Sequence, residues 1–187
     1  MKVGILGGGQ LGRMLLQAAA NYDVTTYVLE NDAHCPAAHL CHHFTLGNIQ
    51  DFDSVYNFGK QLDALTIEIE AVNVEALEKL EQEGVKVYPT PAAIRIIKNK
   101  ILQKQFYQNN EIPTSEFHIT QHQSDLLQHI TFLPAVHKLG EGGYDGKGVQ
   151  VIDSEKDIEL GFNAPAVLEK KLDLDEIIKR AVAGVKK

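Results

Sequence analysis

Two glycine-rich segments carry the residues whose types and spacing could do chemistry. In Gly7-Gly8-Gly9-Gln10-Leu11-Gly12, residues Gly7, Gly9 and Gly12 stand at G-x-G-x-x-G spacing. The segment follows a short apolar run, Val3 to Leu6, and precedes a helical pattern, the context that such a fingerprint needs. Glycines permit the tight turn and bring backbone N–H groups close to a ligand, and the start of the following helix stabilises an anion. Glu30 closes the next apolar run, near where a ribose-binding acid would lie. These residues fit a dinucleotide site, another anionic ligand, or a tight turn with no ligand. The second segment, Gly142-Gly143-Tyr144-Asp145-Gly146-Lys147-Gly148, holds four glycines in seven residues, and Lys138 lies four residues before it. Such a loop can wrap phosphates with backbone N–H groups, while Lys138 neutralises them as a point cation. A plain hairpin with a polar tip is the alternative, although it needs fewer glycines.

These loops need elements to hold them. Val3 to Leu6, Val24 to Leu29, Phe44 to Leu46, Ala64 to Ile69 and Val85 to Tyr88 read as buried strands. Helical patterns lie between them. One places Leu11, Leu15, Ala18 and Ala19 on one face, and Asp53 caps a second through Val55 and Phe58. Asn73 caps a third, carrying Val74, Leu77 and Leu80, which stops at Gly84. The alternation predicts an α/β fold, a parallel sheet with helices on both faces. After Pro89 and Pro91 the pattern changes to a helix over Ala92 to Gln108, in one piece or two. Strands follow at Phe117 to Ile119, Ala135 to Lys138, Val149 to Ile152 and Ala166 to Lys170, an α+β region around a hairpin. The boundary falls near residue 98, giving units 1–98 and 99–187.

The chain has 187 residues, 44% hydrophobic and 23% charged, with a formal net charge of −7. That charge argues against general phosphate-backbone binding to nucleic acid. No apolar run reaches the length of a membrane span, and the start does not read as a signal peptide. A cytosolic protein with reduced thiols at Cys35 and Cys41 is expected.

The segments Gly7 to Met14, Thr66-Ile67-Glu68-Ile69-Glu70 and Gly142 to Gly148 occur in the order found in N5-carboxyaminoimidazole ribonucleotide synthetases, which the chain resembles to about Leu172. The Gly-Gly-Tyr-Asp-Gly loop is the specific element. Formate-dependent glycinamide ribonucleotide transformylases, a sister family, share the first motif but carry a serine-rich loop. The resemblance implies a Rossmann-like PreATP-grasp domain over 1–98 and a partial ATP-grasp central domain over 99–187. It implies an enzyme of purine biosynthesis that uses ATP and bicarbonate to form carboxyphosphate, whose carbon dioxide the amine of 5-aminoimidazole ribonucleotide captures.

Residue by residue, the resemblance sets Gly9, Gln10 and Leu11 against the substrate phosphate and demotes Glu30 to a strand-end residue. Glu68 would accept from the substrate ribose, with Glu70, by strand alternation, on the same face. Lys100 and Lys138 would hold ATP phosphates, while Lys98 and Lys104 read as solvated helix residues. The catalytic loop residues would be Tyr144, Asp145 and Lys147. Lys147 stands where many relatives carry arginine, and offers a cation without a bidentate fork. Gly143, Gly146 and Gly148 complete the ATP loop. Glu169, Lys170, Lys171 and Leu172 match the hinge that reads adenine, through backbone groups at Lys170 and Leu172. The match then degrades, because Ile177 takes the place of a ribose-binding glutamate and Glu176 falls one short.

His34, Cys35, His39, Cys41, His42 and His43 crowd together, but at no standard zinc spacing, so adventitious metal binding is the expectation over a native site. Relatives place their magnesium ligands in a later segment, and the sequence ends before it. The expectation is therefore that this chain alone is inactive. A non-catalytic nucleotide-binding module and a dinucleotide-dependent oxidoreductase are the other classes, and the full-length family suggests a homodimer.

Overall fold

The computed structural model describes residues 1–143 and 147–173. It divides into two compact units, Met1–Lys98 and Asn99–Lys187. In the first, β1 (Lys2–Leu6), β2 (Thr25–Glu30), β3 (His43–Leu46), β4 (Ala64–Ile67) and β5 (Lys86–Tyr88) form one parallel sheet in the order β3-β2-β1-β4-β5. Helices α1 (Gln10–Ala19), α2 (Phe52–Gly59), α3 (Val74–Gln82) and α4 (Pro91–Lys98) accompany it. Alternate strand residues feed two cores. Leu6, Leu29 and Leu65 pack with Val55, Phe58, Leu77, Leu80 and Ile94 of three helices, whereas Ile5 and Val28 pack with Leu16 of α1, Cys35 and Ala37. A parallel sheet covered on both faces needs apolar side chains on both, which its strands supply.

Three local expectations change. α1 buries Gly12 and Leu16, while Leu11, Leu15 and Ala18 are exposed. Its rotation is set at the turn, where a Cβ on Gly12 would stand 2.9 Å from the Gly7 carbonyl oxygen. The cap of α2 is Asp51, not Asp53: its carboxylate accepts from the Ser54 N–H at 2.8 Å. Asn73 caps α3 by accepting from the Ala76 N–H at 2.8 Å, in line with the sequence. β4 ends at Ile67, so strand alternation does not reach Glu68 and Glu70.

In the second unit α5 (Lys100–Asn109) starts at Asn99, whose side chain accepts from Ile101 and Leu102 N–H. β6 (Phe117–Thr120), β7 (Ala135–Leu139), β8 (Val149–Ile152) and β9 (Ala166–Lys170) form an antiparallel sheet in the order β6-β9-β7-β8. Two 3₁₀ segments that the sequence did not reveal, Gln123–Phe132 and Glu155–Leu160, cover its core of Leu126, Ala135, Ile152, Ile158 and Leu168.

His137 is fully buried in this core. Its Nδ1 accepts from the Phe162 N–H at 3.2 Å, so the proton sits on Nε2, 2.9 Å from Thr120 Oγ1. Burial holds its pKa below the ordinary histidine value. The unfolded chain therefore takes up the proton first as pH falls. The stability contributed by the neutral ring is complete above about pH 6.5 and is lost below it. Thermal unfolding should show a midpoint that drops between about pH 7 and 5. His137→Gln, which can both donate and accept, should flatten that profile; an unchanged slope would assign the acid sensitivity to other groups.

Candidate functional site

In an open α/β sheet the ligand crevice lies beyond the carboxyl ends of the strands, where strand order reverses. Here that place is the carboxyl ends of β1 and β4, and the glycine turn and Glu68 occupy it. The Glu68 carboxylate spans the turn: Oε2 accepts from the Gly9 N–H at 2.9 Å and Oε1 from the Leu11 N–H at 3.2 Å. A protein carboxylate thus fills the anion position at the start of α1. Glu30, read as a plain strand end, holds the same turn from the other side. Its carboxylate accepts from the Gly8 N–H at 2.9 Å and the Asn31 N–H at 2.6 Å. The Gly7 N–H donates to the Leu29 carbonyl at 3.0 Å and the Ala37 N–H to the Gly8 carbonyl at 3.0 Å. The turn combines a frame held through Gly7 and Gly8 with one further occupant, the Glu68 carboxylate on Gly9 and Leu11. Gln10, on the same turn, is exposed.

The histidine-cysteine cluster is dispersed: His34, His39, His42 and His43 are exposed, Cys41 is half-buried and Cys35 is buried. Cys35 is buried beneath Gly8, His42 bonds Thr26, and His43 stacks on Tyr27 at 4.5 Å. Burial pushes the Cys41 thiol up, away from the thiolate that a metal binds. Among the described residues no group of three or more His, Cys, Asp or Glu could hold a metal ion.

In the second unit Tyr144, Asp145 and Gly146 lie outside the described residues, as do Glu176 and Ile177. The flanks of their loop form a narrow neck. A Cβ on Gly143 would stand 2.7 Å from the Gly148 Cα, so these two glycines serve close backbone approach. Lys147 is exposed. Lys100 starts α5, and its N–H donates to the Gly140 carbonyl at 2.8 Å, which fastens the helix to the loop's root. Lys138 on β7 lies 3.1 Å from Glu169 Oε2 on β9, and Lys104 on α5 lies 3.2 Å from the same oxygen. Burial pushes the Glu169 carboxyl up, but hydrogen bonding and charge from Lys138, the Ser115 hydroxyl and the Lys104 charge outweigh it and hold the group below the ordinary glutamate range.

Neither Lys98 nor Lys104 is the solvated helix residue that the sequence suggests. Lys98 Nζ donates to the Val72 carbonyl at 2.7 Å, and Lys104 is buried. In the hinge segment the Lys170 N–H donates to the Glu116 carbonyl at 2.9 Å and the Lys171 N–H to the Pro134 carbonyl at 3.3 Å. The Lys170 ammonium caps the Phe132 carbonyl at 2.8 Å, and Lys171 pairs with Asp153 at 2.7 Å. Leu172 is exposed.

The family described as the ribonucleotide synthetase preATP-grasp domain matches residues 1–98, the unit built on the glycine turn. The chain belongs to that family. Across 87% of its length it is 38% identical to the chloroplastic phosphoribosylaminoimidazole carboxylase of Vigna aconitifolia, of which it spans 29%. The N5-carboxyaminoimidazole synthetase of Staphylococcus aureus, complexed with ADP, superposes with a TM-score of 0.84 at 29% identity, covering 92% of this chain and 48% of that one. The Aspergillus clavatus N5-carboxyaminoimidazole synthase, in complex with ADP and 5-aminoimidazole ribonucleotide, superposes with a TM-score of 0.80 at 32% identity, covering 91% and 46%. The similarity thus extends past the preATP-grasp domain into the second unit, while the chain spans about half the length of those two structures.

With both Glu30 oxygens committed to backbone N–H groups, a dinucleotide ribose would lose its partner acid. Isothermal titration of the chain with NAD should show no binding in the micromolar range of ordinary cofactor sites. A micromolar Kd would mean that Glu30 leaves the turn and that the site takes dinucleotides.

Proposed function

We propose that the two units hold the substrate nucleotide and the ATP of an N5-carboxyaminoimidazole ribonucleotide synthetase. In that reaction the γ-phosphoryl group of ATP passes to bicarbonate, giving ADP and carboxyphosphate. Carboxyphosphate releases phosphate and carbon dioxide, and the exocyclic amine of 5-aminoimidazole ribonucleotide attacks that carbon to form the N5-carboxylate. The observation that carries the reading is the anion position at the glycine turn, with Glu68 laid across the Gly9 and Leu11 N–H groups. The Aspergillus clavatus relative in complex with 5-aminoimidazole ribonucleotide supports the same ligand.

In this reading the substrate phosphate takes the N–H groups at Gly9, Gln10 and Leu11, and Glu68 moves off them to accept from the ribose hydroxyls. Binding is an exchange of one anion for another at the start of α1, so the dipole stays compensated throughout. Lys100 and Lys138 neutralise ATP phosphates. Tyr144, Asp145, Gly146 and Lys147 close over them, with Gly143 and Gly148 as the neck. Backbone groups in the segment Glu169 to Leu172 read adenine, the Lys170 and Lys171 N–H groups being already donated within the sheet. Magnesium belongs to phosphoryl transfer in general, but no described cluster suits it, and no step assigned to these residues runs through it. The reading also carries a cytoplasmic location and a homodimeric full-length enzyme. Among the described residues no helix is long and apolar enough to cross a membrane.

Two titrations of the folded chain test the exchange. Gly9→Val sets a side chain against the Glu68 carboxylate and should abolish binding of 5-aminoimidazole ribonucleotide while circular dichroism stays native. Unchanged affinity would move the site elsewhere. Glu68→Ala frees both N–H groups and should raise affinity for inorganic phosphate about tenfold, the scale of one charged hydrogen bond. The same variant should weaken the ribonucleotide, which loses its ribose acceptor. If phosphate affinity does not move, the phosphate does not use these groups.

A further inference from the structure

Lys104 is the most heavily committed lysine among the described residues. Its side chain is 8% exposed, and its ammonium lies 2.6 Å from Thr114 Oγ1, 3.0 Å from Ser115 Oγ and 3.2 Å from Glu169 Oε2. Three acceptors match the three N–H bonds of an ammonium group. It also stands 5.5 Å from the centroid of the Phe117 ring. Lys138 reaches the same Glu169 oxygen from β7, but its side chain is 29% exposed and Glu169 is its one charged partner among the described residues. Ser115 Oγ donates to that oxygen as well, at 3.0 Å. Two lysines therefore share one carboxylate, one cation more than local neutrality requires.

We propose that Lys104 is a positioning residue for the nucleotide site, the permanent counter-ion of Glu169 that leaves Lys138 free to move onto a nucleotide phosphate. The inference rests on the function proposed above, in which Lys138 meets the phosphates of ATP. A carboxylate that is 14% exposed is costly to leave without a cation. With Lys104 fixed beside it, Glu169 keeps a counter-ion when Lys138 departs. Without Lys104, Lys138 is the remaining cation and is held in place. Lys104 would thus govern affinity for the phosphates without touching them.

Titration calorimetry of the 187-residue chain with ADP and with adenosine separates this role from general support of the fold. Lys104→Met should raise the Kd for ADP about tenfold, the scale of one charge-assisted interaction, and leave adenosine within about twofold. In a Glu169→Gln background no carboxylate detains Lys138, so adding Lys104→Met should leave ADP affinity unchanged. The doubly substituted chain orphans no buried charge, and in Glu169→Gln alone the Lys104 ammonium keeps the Thr114 and Ser115 hydroxyls, so the comparison keeps the test open if Lys104→Met alone does not fold. Equal weakening of ADP and adenosine, an unmoved ADP affinity in Lys104→Met, or a further loss in the Glu169→Gln background would overturn the proposal. Failure of the unaltered chain to bind ADP would overturn the nucleotide reading itself, and this inference with it.

Discussion

The carboxylate of Glu68, bonded to the N–H groups of Gly9 and Leu11, is the contact on which the first unit's crevice depends. It joins the ends of two adjacent parallel strands, β1 and β4, where the connections leave in opposite directions just beyond the last backbone bond between them, from the Glu68 N–H to the Leu6 carbonyl at 2.8 Å. The N–H groups at the start of a helix have no intrahelical acceptor and need one from elsewhere. No side chain at the cap position meets that need, since Gly9 has none. A residue 59 positions away supplies it, so the order of the turn depends on tertiary structure. Glu30 and Ala37 complete the frame through Gly8, without using Glu68.

The second unit solves a related problem with the signs reversed. There a half-buried carboxylate is surrounded by donors, and the ammonium of Lys104 is held by two hydroxyls besides. In the proposed function the two units use the same device, a charged side chain that leaves its partners while its neighbours remain compensated. Electrostatic preorganisation of this kind lets a site accept an anion without building a new environment for it.

Much of this was legible in the sequence. The β-branched runs that alternate with amphipathic stretches gave the parallel sheet, and Asn73 announced its helix because few residues cap as well. The pattern over 92–108 fits one helix or two, and the Asn99 cap divides it into α4 and α5. Other features were illegible for physical reasons. Asp51 and Asp53 are equivalent as residue types, and only geometry lets Asp51 reach Ser54. The buried face of α1 runs through Gly12, which has no side chain to register in a hydrophobic pattern, so the leucines beside it misled. Lys104 reads as solvated because lysine usually is; its partners Thr114, Ser115 and Glu169 lie on other elements. Glu30 reads as a plain strand end, because a carboxylate that binds backbone N–H groups leaves no trace in local sequence.

The neck formed by Gly143 and Gly148 separates stem from tip in the hairpin. Below it, Lys138 faces Val149 on one side and Val167 on the other, and the Leu139 N–H is fastened to the Gly148 carbonyl. The pairing register is therefore set before the chain enters the tip. Lengthening a closed loop costs only about 0.6 kcal/mol per doubling, so insertions beyond the neck tax the sheet little. The stem that carries Lys138 therefore keeps its alignment whatever the length of chain beyond the neck.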